Sequence, residues 1–321
     1  MNIRSMTGYQ RLTVLTAVAT LVLIGVGALV RTTGSGLGCP DWPFCHGQII
    51  PPAEKTAIIE YSHRTLAMVV GFLIMGTAWV TLRRHSDDRP ARTLAIISLP
   101  LLFLQAWLGK VIVERELPAE VVMIHLGTAL MLLAILAVIA AFSVLGPARR
   151  RVESSERASV LRIAHIAAIV IAGVLMVGAY TVGSDAGVAC TTWPSCAEGA
   201  IPFVDGGRLQ HIHWLHRITV VAGLAAIGVL AMAATNMRER SPILERAVWA
   251  ALALYGVQIA IGALNILSGF AELVLVAHLA VGSAIWALLV LILVVGRFEL
   301  EIDRTAYSAD TLRSPAADPG A

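Results

Sequence analysis

The sequence predicts an all-α integral membrane protein of eight transmembrane helices, arranged as two tandem four-helix bundles. Composition, the length of the apolar runs and an internal repeat predict it. Of 321 residues, 57% are hydrophobic and 14% charged, and mean hydropathy is +0.78. A soluble globule of that composition would lack the polar surface to cover itself. A helix needs about 20 apolar residues to cross a ~30 Å hydrocarbon core. At that depth a helix satisfies its own backbone, which an open sheet cannot.

The runs follow in order. Leu12–Val30 is too long for a removed signal peptide and lacks a small-residue cleavage pattern, so it reads as a span. Thr65–Leu82 and Thr93–Val113 are the second and third, with a basic turn between them. Val121–Leu145 is the fourth, and the basic stretch Gly146–Arg162 joins it to Ile163–Val182, the fifth. Ile218–Thr235, Ala247–Leu267 and Leu273–Gly296 complete the set. The tail from Glu299, polar and ending in Ser, Pro, Ala, Asp and Gly, is expected to be disordered and cytoplasmic. The expected divisions are residues 1–148, 149–298 and 299–321.

Lys and Arg set the orientation. With the N-terminus inside, 17 of the 24 basic residues are cytoplasmic; seven (Arg31, Lys55, Arg64, Lys110, Arg115, Arg208 and Arg217) are outside. Both termini are then cytoplasmic in a cell membrane, and the cysteine loops lie outside. The net charge of +3 reports topology rather than a nucleic-acid partner.

The repeat is carried by five landmarks. Cys39-Pro-Asp-Trp42-Pro43-Phe-Cys45 recurs as Cys190-Thr-Thr-Trp193-Pro194-Ser-Cys196, an offset of 151. His63-Arg64 recurs as His216-Arg217, Gln105-x-x-x-Gly109 as Gln258-x-x-x-Gly262, and His125 as His278, all at 153. Four spans per unit make both copies enter the membrane the same way round. A pseudo-two-fold axis along the membrane normal is therefore expected.

All four cysteines fall in outer loops, where the oxidising side permits Cys39–Cys45 and Cys190–Cys196 disulfides. Each pair reads either as a redox-active couple or as a staple stiffening its loop. A zinc site is disfavoured, because disulfide formation competes with the thiolates a metal needs.

His63, His125, His216 and His278 sit at or just inside the outer ends of the even-numbered spans. Each half thus offers two imidazoles at one depth, the arrangement that holds a haem iron axially. Arg64 and Arg217 follow a histidine directly; they read as partners for haem propionates or as interfacial snorkelling residues. His85 and His165 read as cytoplasmic-interface residues, His46 and His211 as loop residues.

The halves differ three residues before the first histidine of each pair: Glu60 in one, His213 in the other. Spacing i, i+3 places Glu60 on the helix face of His63. A carboxylate there can stabilise developing positive charge or accept a proton. It can also be an acid favoured at a helix N-terminus.

Eight spans, the four-span repeat, E-x-x-H-R, H-x-x-H-R and the C-x-x-W-P-x-C loops together resemble the haem A synthase family, from about Leu12 to Gly296. The resemblance implies oxidation of the C8 methyl of haem O to the formyl of haem A for terminal cytochrome oxidase. It implies a haem b cofactor on His216 and His278, and a catalytic substrate site with Glu60, His63 and His125. It also implies a role for Cys39 and Cys45. Expected partners are haem O, haem O synthase, cytochrome oxidase assembly factors, an electron donor and membrane lipid; homo-oligomerisation is left open. The alternative is a di-haem membrane cytochrome b oxidising quinol, which explains the histidines but not Glu60 or the Cys-Trp-Pro loops. A transporter of inverted repeats fits less well, because the repeat is parallel.

Overall fold

A computed structural model describes residues 6–85, 88–145, 150–151, 154–197, 200–238 and 241–299. The expected tail beyond Glu299, with Arg304 and Arg313, lies outside the described residues, as do Arg4, Arg149 and Arg240.

Eight helices form: α1 Gly8–Thr32, α2 Lys55–Arg84, α3 Arg89–Glu114, α4 Ala119–Leu145, α5 Ser155–Gly183, α6 Arg208–Thr235, α7 Pro242–Leu267 and α8 Glu272–Arg297. Each is long and apolar enough to cross a membrane. The chain is a multi-pass membrane protein. The helices overrun the apolar stretches by a turn or more where caps hold their polar ends. Thr7 accepts from the Gln10 amide at 3.2 Å while the Gln10 side chain returns a contact to the Thr7 amide at 2.9 Å, closing a capping box at α1. Asp88 and Ser154 cap α3 and α5 in the same sense. β pairing is minimal: Arg150–Arg151 pairs antiparallel with Phe298–Glu299, tying the central linker to the end of α8, and a single bridge joins Cys45 to Gln48.

Side chains are sorted for lipid rather than water. Phe72, Phe103, Ile169 and Val221 are more than 60% exposed. The interior is rich in Ala, Gly and Thr, residues small enough to let helix backbones approach. Helices α1, α4, α5 and α8 meet at the centre; α2 and α3 flank one side, α6 and α7 the other. The Trp286 indole N–H donates to the Leu130 carbonyl at 2.9 Å across this centre. Gly183 lets α5 lie against Ala119, where a Cβ would stand 3.1 Å from it.

The two halves are held differently. In the first, the Tyr9 and Thr81 hydroxyls are 2.9 Å apart, those of Thr16 and Thr77 2.8 Å, and those of Thr13 and Ser143 2.7 Å. The repeat places Val160, Ala164, Ala167, Leu230, Ala234 and Gly296 at the corresponding positions, and all six are buried. Directional bonds on one side are replaced by apolar packing on the other.

Candidate haem-binding site and cysteine loops

Helices α2, α4, α6 and α8 deliver His63, His125, His216 and His278 at the loop end of the bundle, each half-buried. Each ring rests on a glycine of the neighbouring helix. A Cβ on Gly27 of α1 would stand 3.3 Å from His63 Nε2. On Gly109 of α3 it would stand 3.5 Å from His125 Cε1, on Gly178 of α5 3.0 Å from His216 Cε1, and on Gly262 of α7 3.2 Å from His278 Cε1. The missing side chains leave room for each imidazole between the helices.

These residues fit a haem. The Nδ1 atoms of His125 and His216 are buried with no hydrogen-bond partner in the protein. A buried polar atom left that way costs about 1–3 kcal/mol, a cost that ligation of the imidazole to iron and reorientation of the ring can offset. The glutamines of the repeat brace one ring in each half, His125 and His278. Gln105 Nε2 lies 3.2 Å from His125 Nε2, and its carbonyl accepts from the Thr128 hydroxyl. Gln258 Nε2 lies 3.2 Å from His278 Nδ1 and donates to the His278 carbonyl at 2.9 Å. Gln258 thus engages Nδ1 of His278, whereas Gln105 engages Nε2 of His125.

Above the histidines lie the two loops, each closed by a disulfide: Cys39–Cys45 with Cα atoms 4.6 Å apart, Cys190–Cys196 with 4.4 Å. Both contain a cis peptide before proline, at Trp42-Pro43 and Trp193-Pro194. In the first loop Asp41 accepts from the amides of His46 at 2.6 Å and Gly47 at 2.8 Å. The Gly47 bond is the main reason its carboxyl is held below its ordinary value of 3.8.

Glu60 and Arg64 are turned into that loop. Glu60, 4% exposed, accepts from the Cys39 amide at 2.8 Å and from Arg64 at 2.5 Å. Arg64 also donates to the carbonyls of Asp41 at 2.6 Å, Phe44 at 2.8 Å and Cys39 at 2.8 Å. In the second half, His213 Nδ1 donates to the Ala186 carbonyl at 3.0 Å. That leaves its Nε2 lone pair to face Arg217 at 3.5 Å. Arg217 donates to Pro194 at 2.8 Å and Thr192 at 3.0 Å. Both arginines thus hold loop carbonyls, with a buried ion pair beneath the first loop and a histidine beneath the second.

Of the remaining histidines, His46 sits in the first loop with Nε2 3.0 Å from the Gly38 carbonyl. His211 lies near Phe203, ring centroids 5.9 Å apart. His85 stacks on Tyr9 at the opposite end, where His165 of α5 also lies. Among the described residues no three His, Cys, Asp or Glu side chains gather, and all four cysteines are in disulfides. Sequence reasoning named Gly109 and Gly262 as repeat landmarks without their role as cradles, and missed Gly27 and Gly178, although these share the offset of 151 that marked the loops. A recess of about 220 Å³ opens between the halves, walled by Met123, Met176, Val177, Tyr180, Ile212 and Leu215. Met123 is two residues from His125 and Leu215 adjoins His216.

Residues 10–290 match the sequence model of the family COX15-CtaA, described as cytochrome oxidase assembly protein. A heme A synthase of Symbiobacterium thermophilum is 31% identical over 285 residues, covering 85% of this chain and 90% of that protein. One of an Exiguobacterium species is 30% identical over 263 residues, covering 80% and 83%. One of Bacillus licheniformis is 31% identical over 187 residues, a match that spans 57% of this chain and 62% of that protein.

Proposed function

The chain belongs to the COX15-CtaA family of cytochrome oxidase assembly proteins, and we propose that it works as a haem A synthase whose halves divide the work. The reading places it as an oxidoreductase that converts the C8 methyl of haem O to a formyl group, supplying haem A to cytochrome oxidase. The observation that carries the division of labour is the exchange of Glu60 for His213 beneath otherwise matching histidine pairs.

His216 and His278 are the residues that would hold haem b. Their rings are seated on Gly178 and Gly262, and Gln258 fixes one nitrogen of His278. A haem held by these two histidines would supply electron transfer. His63 and His125 would receive the substrate haem O. Gln105 must give up its contact with His125 Nε2 before that nitrogen can act as a ligand. The two glutamines engage different ring nitrogens, which supports different roles for the two histidine pairs.

Glu60 is the carboxylate nearest this exchangeable pair in sequence, one helical turn from His63. Its charge is balanced by Arg64 and held in place by the Cys39 amide. A fixed carboxylate there can stabilise positive charge that develops on the macrocycle or accept a proton as the methyl is oxidised. The apolar recess between the halves suits the isoprenoid chain of haem O. The excess of Arg and Lys at the other end supports cytoplasmic termini, with the disulfide loops on the oxidising side.

Co-expression with a haem O synthase, followed by pigment extraction, tests the reading. Haem A is expected; recovery of haems B and O alone would sink it. The di-haem cytochrome alternative gives Glu60 and its loop no task and is not favoured by the relatives.

A further inference from the structure

We infer that the end of the bundle opposite the cysteine loops carries a binding site for a phosphate group, that of an anionic phospholipid. A recess of about 450 Å³ there is lined by Ser155, Ala158, Leu161, Arg162 and His165 of α5 and by Arg297, the last residue of α8. Ser155, Ala158, Arg162 and His165 fall at i, i+3, i+7 and i+10, so they form one stripe along α5. Arg297 closes the recess from the neighbouring helix.

Charge and shape both point to an anion. Among the described residues neither Arg162 nor Arg297 has an acidic partner. Two guanidinium groups sharing one recess repel, and a phosphate between them removes that repulsion while matching their planar donors. Ser155 adds a hydroxyl at the first turn of a 29-residue helix, where the backbone favours negative charge. His165 donates through Nδ1 to the Leu161 carbonyl at 2.7 Å, which keeps its ring along the stripe. Beneath the recess Gly296 lets α5 and α8 come close: a Cβ there would stand 2.6 Å from Leu161 Cδ2 and push aside a side chain that lines the recess.

The continuation of the stripe selects the source of the phosphate. One turn deeper lies Ile169, 70% exposed, with Ile166 beside it at 59%. Cationic groups at the helix end and open apolar surface beyond them reproduce the polarity of a phospholipid, headgroup first and acyl chain second. A free phosphate would use only the first part. In the first half the repeat keeps Arg11 at the position of Arg162 but puts Val14 and Val144 where His165 and Arg297 stand, so the pair of guanidinium groups is not repeated there.

Native mass spectrometry of the full-length protein in detergent tests this, titrated with phosphatidylglycerol and with phosphatidylcholine of the same acyl chains. Wild type should hold one phosphatidylglycerol at least about tenfold more tightly than phosphatidylcholine. R162A/R297A should lose that preference, and R162K/R297K, which keeps the charge, should retain part of it. Equal affinity of wild type for the two lipids, or an unchanged preference in the folded alanine variant, overturns the site. Displacement of phosphatidylglycerol by millimolar inorganic phosphate overturns the lipid as its source.

Discussion

The backbone amide of Cys39 donates to the carboxylate of Glu60 at 2.8 Å, so the first disulfide loop and the acid beneath it form one unit. Removing the acid should therefore have two consequences. Glu60→Ala should lower haem A yield by about a hundredfold or more while leaving the second-half haem spectrum intact. It should also make Cys39–Cys45 easier to reduce, read as faster alkylation after mild thiol treatment. Glu60→Gln separates the two effects, because the amide oxygen can still accept from Cys39 but carries no charge. Full activity in Glu60→Gln would reduce the role of Glu60 to anchoring.

The glycine cradles allow a matched pair of substitutions. Gly178→Ala brings a methyl to 3.0 Å from His216, and Gly27→Ala brings one to 3.3 Å from His63. The first should broaden or abolish a low-spin haem signal in the purified protein. The second should spare that signal and lower haem A production. Identical effects of both on the bound pigment would count against separate roles for the halves.

His216→Ala and His278→Ala should each remove the low-spin haem b spectrum, whereas His63→Ala and His125→Ala should leave it. Survival of the spectrum in both second-half variants would remove these residues as its ligands.

The eight helices, the two disulfide pairs and the shared depth of the four histidines were legible in the sequence, because apolar length and a constant offset report them directly. What each polar head reaches was not. Arg64 was expected either at haem propionates or snorkelling at the interface; it holds three loop carbonyls and Glu60. That geometry depends on how a short loop folds back over α2. Gly38 sits so close that a Cβ would meet the Thr56 backbone at 2.4 Å. No periodicity encodes such a return. The glycines beneath the histidines were hidden for another reason: small residues are common in membrane helices, and only coordinates show which ones face a ring.

A double-mutant cycle on Thr16 and Thr77, whose hydroxyls meet at 2.8 Å, should return a coupling of about 0.6 kcal/mol. Each single Thr→Val change should destabilise the first half, while the double change should cost less than their sum. Unfolding in mixed micelles monitored by circular dichroism gives the values. Strict additivity would mean that the two hydroxyls do not share a bond in the folded protein.

The turn at Asp41 should weaken in acid. Bonds from the Gly47 and His46 amides lower its carboxyl from 3.8, so their contribution is fully present above that ordinary value. It is lost as pH falls through the lower, folded value. Loop protection, followed by hydrogen exchange at the His46 and Gly47 amides, should be flat from pH 5 to 8 and fall in more acid solution. Asp41→Asn should remove most of that dependence.

The hydroxyl pairs of the first half bear on how such a chain is assembled. Helices already threaded into lipid gain little from apolar contact with one another, since the surrounding tails are equally apolar. A Thr on α1 and another on α2 give the earliest pair a reason to dock in a single register while the rest of the chain is still emerging. In the second half those positions are Val, Ala, Leu and Gly; α5 there docks by shape, and the side-chain bonds from Tyr255 to Val220 and from Trp249 to Thr235 join α6 to α7 instead. A duplicated unit has thereby acquired an order of construction: the half synthesised first can set its own register, and its sister can be moulded against a surface already formed.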